Sequence, residues 1–152
     1  MSDLQRIHLH LPNARVMSVN EMLRTNEYAR AQARDALLAR LAHELRRTGQ
    51  MPPEPLRFVE VDITLHRPKP YDADGKYGAI KHLCDCLTRP KSNLALMKQA
   101  RRQRRGLFVP LGVIWDDTDG DHGLPGCIRQ LTVRQVPAER HAITLTIQEV
   151  SP

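Results

Sequence analysis

The sequence has few aromatic residues, few cysteines and no long apolar run. Phe, Trp and Tyr make up 4% of the chain, which argues against a surface that stacks several bases on aromatic rings. The three cysteines, Cys84, Cys86 and Cys127, leave one thiol unpaired in any disulfide scheme, so we expect a reducing, cytoplasmic compartment. No segment approaches about 18 consecutive apolar residues, and the N-terminus lacks a charged-then-apolar signal pattern. We therefore expect no membrane partner.

Several common sequence signatures are also missing. The chain shows no Ser/His/Asp signature, no phosphate-binding P-loop and no glycine-rich dinucleotide motif. These absences predict a protein without a nucleotide cofactor.

The chain is rich in positive charge and otherwise has the composition of an ordinary globular protein. Its 152 residues include 41% hydrophobic and 26% charged residues, enough for one domain with a core and too few to expect two. The net charge of +6 and the pI of about 9.7 favour a polyanionic partner, although a membrane surface would attract the same charge. We treat residues 1–152 as a single domain.

Hydrophobic periodicity predicts a mixed α/β fold. Apolar and polar residues alternate, as in half-buried strands, over residues 7–11, 59–65, 128–136 and 142–150. We expect the last two strands to pair as a hairpin, because only a short connection joins them.

One helix is predicted before the second strand and another after it. Leucines at helical spacing indicate a long helix over residues 26–47, with Asn26 as its N-cap and Gly49 as its C-terminal stop. Its arginines are expected to form mostly a solvated face. Residues 12–26 are expected to be irregular, and a shorter helix covers about residues 80–87. This order predicts an α+β domain in which helices pack on a mixed β-sheet.

Two short acidic pieces follow strand-like runs. The first contains Asp72 and Asp74, and the second contains Asp116 and Asp117. Asp72 and Asp74 would project their carboxylates in the same direction if their backbone were extended. Converging carboxylates suit a hard divalent cation, which relieves their mutual repulsion. Ordinary Asp-Gly turn chemistry would give the same pattern, so both interpretations stay open at this point.

Calcium-loop and zinc-site motifs fit the chain poorly. Counted from Asp72, an EF-hand loop would need Gly at the position of Tyr77 and Glu at the position of Leu83. A zinc site would use Cys84 and Cys86, but these lie two positions apart on a predicted helix and therefore point in different directions. Buried core thiols are the better interpretation.

A basic segment lies between the two acidic pieces. Residues 94–105 predict a short helix without any acidic residue, and its arginines are Arg101, Arg102, Arg104 and Arg105. A basic run is often only a solvated face, but uncompensated charge of this density favours contact with phosphates. We expect these four arginines to bind nucleic acid.

In order and spacing, these motifs resemble the RusA-type Holliday-junction resolvases of bacteria and their phages. The resemblance runs nearly end to end, from the first strand through the long helix to the last two strands. It rests on Asp72-x-Asp74, on the helix that ends Asp85-Cys86-Leu87, and on the Ile114-Trp115-Asp116-Asp117 cluster. Proteins of this family are typically dimeric, magnesium-dependent nucleases that cut branched DNA symmetrically.

The resemblance implies a catalytic site for this chain. The implied catalytic residues are Asp72, Asp74, Asp117 and Lys81, and the implied ligands of Mg²⁺ or Mn²⁺ are the three aspartates together with Asp116. Lys81 matches the family's lysine because it lies four residues before the helix aspartate, Asp85.

Two departures from the family pattern leave alternatives open. Gly75 stands where the family usually has Asn, and a few extra residues precede the helix, so Lys76 is a rival for the lysine role and a candidate DNA contact. The connection at about residues 89–112 is also much longer than in the family, and this insertion contains the basic segment.

Together these features predict a metal-dependent endodeoxyribonuclease that resolves four-way DNA junctions in recombination and repair. We expect a homodimer, because two-fold symmetry would place one active site on each of two strands. Two other functions stay open: a non-catalytic nucleic-acid-binding module that uses the basic segment, and a phage nuclease for forks and flaps.

Overall fold

The computed structural model describes residues 3–90, 108–117, 120–121 and 124–152. In chain order the elements are β1 (Arg6–Pro12), α1 (Val19–Arg24), α2 (Glu27–Thr48), β2 (Val59–Arg67), α3 (Ala73–Ala79), α4 (Lys81–Leu87), β3 (Gly120–Asp121), β4 (Leu124–Pro125), β5 (Ile128–Pro137) and β6 (Ala142–Glu149). The predicted α+β architecture is confirmed. The basic segment, with its four arginines, lies outside the described residues. None of the helices in the described part of the chain combines the length and apolar character that a membrane crossing requires.

Four strands form one mixed sheet in the order β1-β6-β2-β5. Strand β6 is antiparallel to both β1 and β2, whereas β5 is parallel to β2. The predicted hairpin of the last two strands is therefore wrong, because β2 lies between them. Their connection crosses the end of β2, where the Ala138 N–H donates to the Arg67 carbonyl at 3.1 Å. Alternation shows which face of a strand is buried, but it does not show which strand lies beside it.

The core lies on one face of the main sheet, under the helices. Alternate side chains of β1, β2 and β6 are buried there. Helix α2 contributes its three buried leucines, Leu37, Leu41 and Leu45. Burial of each such side chain contributes about 1.5–3 kcal/mol, so the amphipathic stripe of α2 holds this helix against the sheet.

The long helix has the ends that the sequence predicts. Asn26 is its N-cap, and its side chain accepts a hydrogen bond from the Ala29 N–H at 2.8 Å. Gly49 ends the helix with a φ of 65°, a left-handed conformation that costs glycine little. The region before α2, predicted to be irregular, instead contains α1, because Ser18 caps it by accepting from the Glu21 N–H at 3.1 Å.

Two helices follow β2: α4 matches the predicted helix over about residues 80–87, whereas α3 was not predicted. Helix α3 begins at Ala73 because Asp72 caps it: the Asp72 Oδ1 accepts a hydrogen bond from the Gly75 N–H at 2.6 Å. Asp72 and Asp74 therefore do not lie on one extended backbone, and the expectation of parallel carboxylates on that basis is wrong. The chain bends at Ile80, with φ −88° and ψ 0°, and continues as α4.

Candidate active site

The second acidic piece is tied to the C-terminal end of α4. The apolar run before it, predicted to be strand-like, forms only a single β-bridge between Ile114 and Leu56. The N–H groups of Leu111 and Ile114 donate to the carbonyls of Cys86 and Leu87 at 2.8 and 3.0 Å. These bonds bring the chain before Asp116 and Asp117 alongside the last turn of α4.

Trp115 anchors the same piece through two arginines. The guanidinium carbons of Arg57 and Arg89 lie 4.0 and 3.8 Å from the centroid of the Trp115 ring. The Arg89 Nε also donates to the Trp115 carbonyl at 3.1 Å. Cation–π contacts contribute about 0.5–1 kcal/mol each at exposed sites. Because Asp116 is the next residue, these contacts restrict where the acidic pair lies.

Asp85, Asp116 and Asp117 form a carboxylate cluster at this end of α4. Burial raises the pKa of Asp117, and its hydrogen bond with Asp116 and the charge of Asp85 raise it further. The Asp116 Oδ1 also accepts from the Asp117 N–H at 2.8 Å. The fold therefore opposes the charge of Asp117, which is the situation that a bound cation relieves.

The donor chemistry of this cluster fits Mg²⁺ or Mn²⁺. Carboxylate oxygens are the side-chain ligands that these ions prefer. Within the residues that the structure describes, no three His, Cys, Asp or Glu side chains are already grouped as a metal site. The side chain of Asp74, one of the predicted ligands, lies outside that description.

Lys81 lies beside the carboxylate cluster. Its Nζ is 3.6 Å from the Asp85 Oδ1, which confirms that the two residues share a helix face, and the lysine side chain is 68% exposed. Because the lysine side chain is largely exposed, its ammonium group is accessible to a ligand. An exposed ion pair of this kind contributes little to stability. The rival lysine, Lys76, belongs to α3, and its Nζ lies 5.2 Å from the centroid of the Tyr77 ring.

Asp72 and Asp74 lie at the other end of the α3–α4 pair. Asp72 is exposed and acts as the cap of α3, and Asp74 belongs to the first turn of that helix. From Asp72 to Asp85 a straight helix would extend about 20 Å, so the bend at Ile80 sets the separation of the two ends. The grouping of Asp72 and Asp74 with Asp117 stays a prediction.

Gln135 of β5 holds the backbone immediately before Asp72, and sequence reasoning missed it. Its Oε1 accepts from the Tyr71 N–H at 2.6 Å, and its Nε2 donates to the Tyr71 carbonyl at 2.9 Å. The Tyr71 hydroxyl in turn donates to the Val16 carbonyl at 3.0 Å. No local pattern points to Gln135, because only the parallel pairing of β2 with β5 brings it to this position.

Asp85 is the other functional candidate that the sequence interpretation did not identify. It served only as the reference point from which Lys81 was counted. A signal was present, because a carboxylate four residues after the predicted lysine shares its helix face. Its proximity to Asp117, however, depends on the contacts that attach the second acidic piece to α4.

The cysteines of α4 are buried thiols, as predicted. Cys84, Cys86 and Cys127 are all free and buried. Burial raises the pKa of Cys84 and of Cys86 to about 12, and the charges of Asp117 and Asp85 add to the effect on Cys84. Both side chains are therefore neutral near pH 7 and serve the core.

No protein-family model matches this chain, and no curated protein matches it either. The resemblance to the RusA-type resolvases therefore rests on the order and spacing of the motifs alone.

Proposed function

We propose that this protein is a metal-dependent endodeoxyribonuclease that acts on branched DNA, in the first place on four-way junctions. The observation that carries the proposal is the carboxylate cluster, in which partial burial and the neighbouring Asp116 and Asp85 raise the pKa of Asp117, while Lys81 lies beside Asp85. The cluster belongs to a chain with a net charge of +6. Positive charge attracts the phosphate backbone, while local carboxylates attract a divalent cation.

The proposed roles follow from the chemistry of the side chains. Asp85, Asp116 and Asp117 would hold Mg²⁺ or Mn²⁺, with Asp72 and Asp74 added as the resemblance implies. When bound, the ion supplies a Lewis acid that activates water and stabilises charge on the cut phosphate. The Lys81 ammonium would neutralise charge on a phosphate oxygen.

The assembly and setting are part of the same proposal. A homodimer would present two sites related by two-fold symmetry, and this arrangement fits paired cuts in a symmetric junction. Three free, buried cysteines are compatible with the reducing cytoplasm of a bacterium, either for a bacterial or for a phage-encoded enzyme.

The test is the incubation of a labelled four-way junction with Mg²⁺ or Mn²⁺, beside linear duplex and fork substrates. We expect paired symmetric nicks in the junction, and none when EDTA removes the metal. Equal cleavage of the linear duplex would contradict specificity for branched DNA. Faster cleavage of forks or flaps would assign the protein to other replication intermediates.

A non-catalytic DNA-binding module is the second candidate. It is favoured by the position of Asp72, which caps α3 at the end of the helix pair opposite to Asp85. Tight binding of the junction without cleavage in any divalent metal would support this alternative and contradict the nuclease proposal.

A further inference from the structure

A cleft between α2 and α4 adjoins the carboxylate cluster. Its volume is about 270 Å³. The charged and imidazole side chains that line it are Glu27, Arg30, Arg34, Lys81, His82 and Asp85. Asp85 lines this cleft and its charge also acts on Asp117, so a ligand in the cleft would lie beside the proposed active site.

Arg34 is held in place in this cleft, in contrast to the mostly solvated arginine face predicted for α2. Its side chain is only 18% exposed, and its guanidinium carbon lies 3.8 Å from the centroid of the Phe108 ring. The Arg34 Nε is buried and has no hydrogen-bond partner among the described residues. Its nearest carboxylate oxygen, Asp35 Oδ1, is 3.7 Å away, which is too far for a hydrogen bond.

Arg30 lies one helical turn before Arg34 and shares its face of α2. One of its guanidinium nitrogens, NH1, donates to the Met22 carbonyl at 3.3 Å, which restrains the side chain. The lining as a whole is positive, because three cations (Arg30, Arg34 and Lys81) face two carboxylates (Glu27 and Asp85). Burial lowers the pKa of His82, so the imidazole adds no charge near pH 7.

We infer that this cleft binds a backbone phosphate of the DNA substrate, adjacent to the phosphate that is cut. Guanidinium groups bind phosphate through two parallel N–H···O bonds. The Arg34 Nε has no hydrogen-bond partner among the described residues, so the guanidinium keeps unused donor capacity. The inference rests on the proposed function, since it takes DNA as the substrate, and it adds a contact that the acidic motifs do not predict.

The binding test compares three single substitutions in the full chain: Arg30→Gln, Arg34→Gln and Arg46→Gln. Arg46 is the matched control, because it lies on the same helix, is exposed and does not line the cleft. Affinity for a labelled four-way junction is measured in EDTA at several salt concentrations. We expect the two cleft variants to bind about tenfold more weakly, with a salt dependence lower by about one phosphate contact. Arg46→Gln should change the affinity by less than about twofold.

Junctions with single neutral methylphosphonate linkages locate the contact. At one position near the cut, the neutral linkage should weaken wild-type binding about tenfold and cause no further loss in Arg30→Gln, as expected for two changes that remove one interaction. Binding of inorganic phosphate to the cleft with the same affinity in the free protein and in its junction complex would assign the cleft to a free anion and overturn the inference.

Folding is checked by circular dichroism, because Arg34 also packs on Phe108. If Arg34→Gln does not fold, the phosphate site is still tested by Arg30→Gln and by the methylphosphonate junctions. Wild-type affinity of Arg30→Gln at every salt concentration would overturn the inference, even if the wild-type protein cuts junctions. A wild-type protein that binds but never cuts would contradict the nuclease proposal, while weak binding by the cleft variants would still support the phosphate site.

Discussion

An acidic piece lies at each end of the α3–α4 helix pair. The surroundings of Asp72 favour its negative charge, whereas those of Asp117 disfavour it. Asp72 is exposed, and its charge is favourable as a helix cap that accepts the Gly75 N–H at 2.6 Å. Asp117 is also exposed, but partial desolvation and the neighbouring Asp116 and Asp85 raise its pKa. The charge of a capping carboxylate is stabilised by the fold even without a ligand. A carboxylate whose charge the fold opposes marks a functional candidate.

At both ends, side chains from distant parts of the chain hold the residue that precedes the acidic piece. Gln135 holds the backbone of Tyr71 before the first acidic piece, and two arginines flank Trp115 before the second. Anchoring therefore does not distinguish the two ends. Partial desolvation and mutual repulsion of the carboxylates do.

The largest effect is expected for Asp117→Asn. Loss of this carboxylate should lower Mg²⁺-dependent cleavage at least about 100-fold, because a charge that stabilises the transition state is removed. The free energy of unfolding near pH 7 should stay the same or rise, since the repulsion within the cluster is relieved. Single-turnover cleavage and urea denaturation measure the two quantities. The exposed Asp3→Asn serves as a control, and an unchanged cleavage rate in Asp117→Asn would remove this residue from the site.

Substitutions of Asp72 separate capping from metal binding. Asn caps helices about as well as Asp, whereas Ala loses the cap at a cost of about 1 kcal/mol. We expect Asp72→Asn to lower cleavage about 100-fold without a change in melting temperature, and Asp72→Ala to lower both. Full activity in Asp72→Asn would show that this aspartate only caps α3.

Substitution of Lys81 is expected to lower cleavage more than substitution of Lys76. Lys81→Gln should lower cleavage about tenfold or more, because its ammonium lies beside Asp85 at 3.6 Å. Lys76→Gln, on α3, should lower it less than about threefold at saturating DNA. Cleavage rates at saturating substrate test this pair of variants, and the reverse order would assign the lysine role to Lys76.

Gln135→Ala should destabilise the protein, because it frees the backbone of Tyr71 before the first acidic piece. Two hydrogen bonds to the Tyr71 backbone are lost, and the expected cost is about 1–3 kcal/mol in the free energy of unfolding. Tyr71→Phe loses the bond to the Val16 carbonyl and should cost about 1 kcal/mol. Chemical denaturation measures the free energy of unfolding of both variants. A smaller loss for Gln135→Ala than for Tyr71→Phe would show that the two Gln135 hydrogen bonds contribute little.

The smallest expected effect is a pH trend in the metal-free protein. Because the pKa of Asp117 is raised on folding, the native state binds the proton more tightly than the unfolded state. Stability should therefore fall as pH rises from the usual aspartate pKa of about 3.9 through the raised folded value. Asp117→Asn lacks this trend, so the variant should gain stability over wild type only above that window. Parallel curves of melting temperature against pH for the two proteins would refute the raised pKa.

Much of the local structure was predictable from short-range pattern. The buried faces of the strands, both ends of α2 and the shared face of Lys81 and Asp85 all follow from periods of 2 and 3.6 residues and from capping chemistry. The start of α3 was missed because the loop-like composition around Gly75 concealed an N-cap at Asp72. The missed α1 has the same explanation, since Ser18 supplies the cap of a short helix.

Only the tertiary structure determined which distant segments are in contact. The chain order suggests a hairpin, but β2 lies between β5 and β6. Likewise, only in the folded chain does Asp85 come close enough to raise the pKa of Asp117, does Gln135 bond to Tyr71, and does Arg34 pack on Phe108. The physical reason is that local pattern shows which surfaces must be buried, while their partners depend on which arrangement buries all of them at once. The sequence thus identified Asp72, Asp116 and Asp117 but not Asp85, and the fold distinguished a capping carboxylate from a destabilised one.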